Sequence, residues 1–158
     1  MNLDEQIRAL VEGAPDIESS MSVAAIAPVL QQIAEALPHQ SYYICASPTG
    51  DWAITTLRHR QNPNSEIRVL YAFGSVSGIE KFYDRQPDAE IAVEIPVIHL
   101  LFETLSFPVL DQVIFYHHGT NFDRGQELSI SDLEQAITQH LKQLQTPARS
   151  SNLPPDIC

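Results

Sequence analysis

The chain has 158 residues, 44% of them apolar, and a formal net charge of −11 from 20 acidic and 9 basic side chains. That length is one domain's worth with a core large enough to need no staples, and the apolar fraction excludes disorder as the default state. No run approaches the roughly 18 apolar residues of a membrane helix, and an acidic field of this size repels polyanions, so neither a membrane nor a nucleic acid is expected as a partner.

The first residues, Met1-Asn2-Leu3-Asp4-Glu5, are acidic and polar, the opposite of a secretory leader, so a cytoplasmic location is expected. Leu3, Ile7, Leu10 and Val11 then recur at helical spacing over 2–12, ended by Gly13 and Pro15. A second stripe, Val23, Ile26, Leu30, Ile33 and Leu37, predicts another helix with Ser22 as its N-cap. Pro28 either kinks that helix or begins its regular part.

The period then changes. Ser41 to Ala46 is aromatic and β-branched and reads as a strand. Pro48-Thr49-Gly50-Asp51 is turn chemistry, Trp52 to Leu57 a return strand, Asn62-Pro63-Asn64-Ser65 the next turn, and Glu66 to Phe73 a third strand. These three predict an antiparallel meander. Ser77-Gly78-Ile79-Glu80 has the capping-box pattern and predicts a short helix through Ile79, Phe82 and Tyr83.

Residues 90–95 alternate and predict a half-exposed strand. Pro96 opens an apolar helix to about Leu105. Val97, Ile98, Leu100, Leu101, Phe102 and Leu105 cover nearly its whole circumference, so its outer face either is covered by the two N-terminal helices or forms a contact surface, a homodimer above all. Gln112 to His117 reads as a fifth strand and Gly119 to Gly125 as a loop. The last helix spans about Ser131 to Leu144, with Ser131 and Glu134 at capping-box spacing. The proline-bearing segment 146–158 reads as a flexible tail after a single domain over 1–145. The expected fold is α+β: a mixed five-stranded sheet, three strands in a meander and the others joined by helical crossovers, with helices packed on it.

The chain carries neither phosphate-binding glycine motif, no nucleophile elbow and no helical His-x-x-x-His pair. Cys45 sits in an apolar strand and Cys158 ends the chain, a spacing that suits neither a disulfide framework nor a zinc site. No cofactor and no metal are expected. One polar cluster, His117, His118 and Asp123, falls where a strand meets a loop, a place where sheets often bind ligands. It reads as a plain strand terminus or as a ligand site. Regular β geometry would send the two histidines to opposite faces. Glu94 could approach them from a neighbouring strand. A second cluster, Arg58, Arg60 and Arg68, is either an edge-protecting hairpin or a basic site for a partner's carboxylate or phosphate. Trp52, beside it, is either core or an exposed anchor.

Four pieces between Ile67 and about Ile137 carry a family likeness. They are Tyr71-Ala72-Phe73-Gly74-Ser75, Val93-Glu94-Ile95-Pro96 before Leu100-Leu101, Val113 through Gly119, and Leu128-Ser129-Ile130 with Leu133. This half of the chain resembles the SseB-type domain, a small bacterial α+β module, with Gly74 in place of a Thr and His117-His118 in place of Asn-Pro. The whole chain is also similar to uncharacterised conserved cyanobacterial proteins. Neither likeness supplies a catalytic residue. The function expected is that of a non-catalytic interaction or regulatory protein with protein partners. A small enzyme or ligand-binding domain using His117, His118 and Asp123 is the alternative.

Overall fold

The computed structural model describes residues 2–59, 61–82, 91–117, 122 and 125–151. Arg60, His118 and Asp123 lie outside the described residues, as do Tyr83 and Cys158. The described residues form an α+β fold of five helices and a mixed six-stranded sheet. In chain order these are α1 (Leu3–Glu12), α2 (Ile17–Glu35), β1 (Ser41–Ala46), β2 (Thr55–His59), β3 (Asn62–Phe73), α3 (Val76–Phe82), β4 (Ile91–Pro96), α4 (Val97–Thr104), β5 (Gln112–Tyr116), β6 (Gln126–Ser129) and α5 (Ile130–Ser151).

The sheet order is β4-β1-β3-β5-β6, with β2 paired to β3. β3 and β5 are parallel, from Val69↔Gln112 to Phe73↔Tyr116. β1 is antiparallel to both β3 and β4, so β3, β4 and β5 all point the same way. The sixth strand, β6, was not expected. It forms an antiparallel ladder with β5 inside the segment read as a loop's end and a helix approach.

Of the expected meander the antiparallel β2–β3 pair forms, while β1 and β2 are not ladder partners. β5 occupies one edge of β3 over Val69–Phe73, so β2, opposite Val69 at Thr55, and β1, opposite Phe73 at Tyr43, follow one another along the other edge. Both are antiparallel to β3, and β1 meets the return segment only in an isolated bridge, Ala46↔Trp52. The turn at 47–51 therefore closes a short excursion rather than a full hairpin. Asn62–Ser65, expected as a turn, lies within β3. The turn chemistry there breaks the ladder instead, where the register shifts between Arg58 and His59.

Alternation along the strands gives the sheet two apolar faces. Tyr42, Ile44, Leu70, Ala72, Val113 and Phe115 point to one, where they pack with α2, α4 and α5. α1 packs outside this layer on α2 and α4. Phe73, Tyr116, Tyr43, Tyr71 and Ile114 point to the other, beneath Ile79 and Phe82 of α3. Cys45 is buried and behaves as a small apolar residue.

The helix boundaries correct three expected caps. Asp16, not Ser22, caps α2 and accepts from Ser19 N at 2.7 Å, which holds its carboxyl below the usual value. Pro28 lies inside that helix. Ser75 accepts from Gly78 N before α3, and Ser129, not Ser131, accepts from Asp132 N before α5. Helix α5 runs to Ser151, well into the segment expected to be a tail.

Helix α4 does not supply an exposed leucine stripe. Val97, Ile98, Leu100 and Leu101 are fully buried, because α1 and α2 cover the face that could have met a partner. A homodimer built on that face loses its surface. What α4 shows to solvent is Phe102, His99 and Glu103, which line a shallow groove with the α1–α2 turn. Gln6 of α1 fastens the two elements. It is fully buried, its Oε1 accepts from Ile98 N at 2.8 Å, and its Nε2 donates to Gln40 O at 2.9 Å. One side chain thus satisfies an orphan donor of α4's first turn and a carbonyl of the loop into β1. Gln6→Leu keeps the volume but strands both groups, and is expected to lower unfolding free energy by about 1–3 kcal/mol per unsatisfied group. The shift of the urea midpoint at constant slope measures it.

Candidate functional site

Because β3, β4 and β5 point the same way, their carboxyl ends gather at one edge of the sheet, together with the start of antiparallel β1. Open sheets bind ligands outside such ends. Here the chain leaves a cleft of about 470 Å³, lined by Gln6, His39, Gln40, Ser41, Tyr43, Gly74, Glu94 and Pro96. Glu94 is the register partner of Tyr43 and so shares its sheet face. Its Oε2 accepts from Ser41 Oγ at 2.6 Å.

Behind the cleft stands a polar knot. Tyr42 is fully buried, and its hydroxyl lies 2.9 Å from His117 Nδ1. His117 Nε2 lies 2.9 Å from Gln126 Oε1. An amide oxygen can only accept, so Nε2 carries the proton and Nδ1 accepts from Tyr42. His39 Nε2 in turn donates to the His117 carbonyl at 2.9 Å. Burial pushes the Tyr42 phenol up to about 12, against a smaller opposite pull from the His39 backbone N–H. A phenol held neutral is a donor, which fits its role here.

Gly74 lets this knot close. A Cβ there would stand 2.7 Å from His39 Nε2 and 2.8 Å from the His117 carbonyl oxygen, closer than side chains tolerate. Its N–H donates to Tyr116 O at 2.9 Å, extending the β3–β5 ladder by one bond.

The expected residues fare unequally. His117 is in the knot, with both ring nitrogens engaged, which leaves it a positioning group rather than an open metal ligand. Glu94 does not reach it, since β1 and β3 stand between β4 and β5. Among the described residues no three of His, Cys, Asp and Glu are grouped to hold a metal ion. Trp52 is half-buried on the main core, 5.5 Å from the Phe107 ring, and is not an exposed anchor. Arg58 and Arg68 do lie together on the β2–β3 ribbon, but a carboxylate sits between them. Glu66 accepts from Arg58 Nε at 2.8 Å, and Arg68 Nη2 is 3.9 Å from its other oxygen. Glu66 was legible as Arg68's neighbour at period two. His39, Ser41 and Gly74 carried no motif, and only the strand order brings them together.

No family model matches the chain, and no curated protein or solved structure matches it.

The Tyr42 phenol sets a pH response. Above pH 10 the unfolded tyrosine releases its proton while the folded one keeps it, so stability is full below about pH 10 and falls as pH rises toward about 12. Tyr71 and Tyr116, raised chiefly by burial, add to the same fall. Tyr42→Phe is expected to shallow the loss of stability over that range, read from urea midpoints across alkaline pH.

Proposed function

We propose that the protein is a non-catalytic binding domain whose target enters the cleft at the carboxyl ends of β3, β4 and β5. The observation that carries this reading is the cleft itself: about 470 Å³, bordered by His39, Ser41, Tyr43 and Glu94, with a backbone wall at Gly74. A volume of that size suits a small molecule or one side chain of a partner. The non-catalytic part rests on His117, the best acid–base candidate in the sequence. Its imidazole is spent on Tyr42 and Gln126 and holds the site's shape. Amide resonances of Ser41, Gly74 and Glu94, followed while amino acids, amines, sugars and nucleosides are added in turn, test the proposal. Shifts confined to these positions with at least one compound class are expected. A panel that moves none of them sinks the cleft as a binding site.

A second reading, contact with a protein partner, is favoured by the ribbon. Leu57 and Ile67 are register partners, and they are 41% and 42% exposed. Arg58 and Arg68 lie on the opposite side of the same two strands. Among the described residues β2 pairs with β3 alone, so its outer edge can accept an extended segment of another chain. Arg58→Gln and Arg68→Gln together should change unfolding free energy by no more than about 0.5 kcal/mol each, since exposed ion pairs contribute little. If the ribbon is the contact, they weaken capture of an acidic peptide library. Unchanged capture leaves the charges as edge protection only.

A further inference from the structure

We propose that the cleft takes a primary ammonium group, seated between the Glu94 carboxylate and the Tyr43 ring. The inference rests on the cleft reading above and adds the chemistry of the occupant. Among the described residues the lining contains a carboxylate and no lysine or arginine. Two of its donors are already engaged. Ser41 spends its proton on Glu94 Oε2. His39 spends its Nε2 proton on the His117 carbonyl, so that in the neutral ring Nδ1 is an acceptor. A phosphate, sulfate or carboxylate would meet the negative charge of Glu94. An ammonium brings three donors and the opposite charge.

Tyr43 completes the fit. It sits directly opposite Glu94 across the β1–β4 ladder, on the same face, about 4.5–5.5 Å away at Cβ. The face of a phenol ring attracts a cation, so an ammonium held by the carboxylate can also meet the ring. The ring is itself fixed by packing against the Phe73 and Tyr116 cluster, so the seat is formed before the ligand arrives. Glu94 Oε2 accepts from Ser41 Oγ, which orients the carboxylate. The same ammonium could belong to a free small amine or to a lysine side chain of a partner protein, and the probes separate the two.

The test titrates the whole chain with cadaverine, with Nα-acetyl-lysinamide, and with the same lysinamide acetylated at Nε as the neutral control. Amide shifts at Tyr43, Gly74 and Glu94 are the readout. At least one of the two amines is expected to bind roughly tenfold or more tightly than the control, with the preference shrinking as salt is added. Tighter binding of cadaverine assigns the site to a free amine, and tighter binding of the lysinamide to a partner's lysine. Glu94→Gln is expected to remove most of that preference while leaving the melting temperature nearly unchanged, because the residue is exposed. Glu94→Asp, which keeps the charge on a shorter stem, should restore part of it. Amine affinity equal to that of the neutral control, or unaffected by Glu94→Gln, overturns the ammonium assignment. Shifts at the same amides with neutral sugars or nucleosides but not with amines would overturn it too, while leaving the cleft reading intact. Silence with every compound class ends both.

Discussion

A parallel pair cannot be closed by a hairpin, so the chain between Phe73 and Gln112 must travel back along the whole sheet before β5 can begin. That one requirement arranges most of the molecule. The connection runs through α3, β4 and α4, and β4 finds its place on the far edge beside β1 rather than next to β3. Three strands then end on the same side. Their ends need to be joined to something, and Gly74, the β4–α4 junction and His117 are the joints. The cleft is the space these joints leave, with the start of β1 as its fourth wall.

The joints are held by hydrogen bonds that span long stretches of chain. His39 bonds to the His117 carbonyl, Tyr42 to the His117 ring, and Gln6 to Ile98 N and Gln40 O. Each is wholly or partly buried, and buried polar groups cost more to abandon than they return when made. The knot therefore acts less as a source of net stability than as a device for fixing one geometry. A cleft with walls fixed in this way would meet a ligand with little reordering.

Much of the architecture was legible because periodicity reports burial. The apolar stripes of α1, α2 and α5 and the alternation of β4 are plain in the residues, and an α+β fold with a mixed sheet follows. Strand partnership was harder. Two short loops argued for a meander, yet β1 pairs with β3 and β4, a choice set by tertiary packing of Tyr42 and Ile44 under the helices. Four-residue β6, with its two leading residues exposed, was too short to show a period. Asn62-Pro63-Asn64-Ser65 has turn chemistry and is used for a register shift, since β3 is long enough to run past it. His117 stood out as polar chemistry at a strand end, and it does sit in the polar knot. Glu94 was named as a carboxylate near a strand end but with the wrong neighbour, and His39 and Ser41 were invisible, because they are scattered singly and adjacency in an α+β sheet is a property of strand order.

The bond from Gln6 to Ile98 joins residues 92 positions apart, and it has a temporal side. During synthesis α1 leaves the ribosome well before the amide it caps is made. Until α4 exists, Leu3, Ile7 and Leu10 can lean only on α2. Non-local closure of this kind charges its loop entropy before any contact repays it, which slows folding and prolongs the life of partly apolar intermediates. Helix α1 is thus made well before the partner it docks on. The interval between the two is when the chain most depends on its net charge of −11 to stay apart from its neighbours.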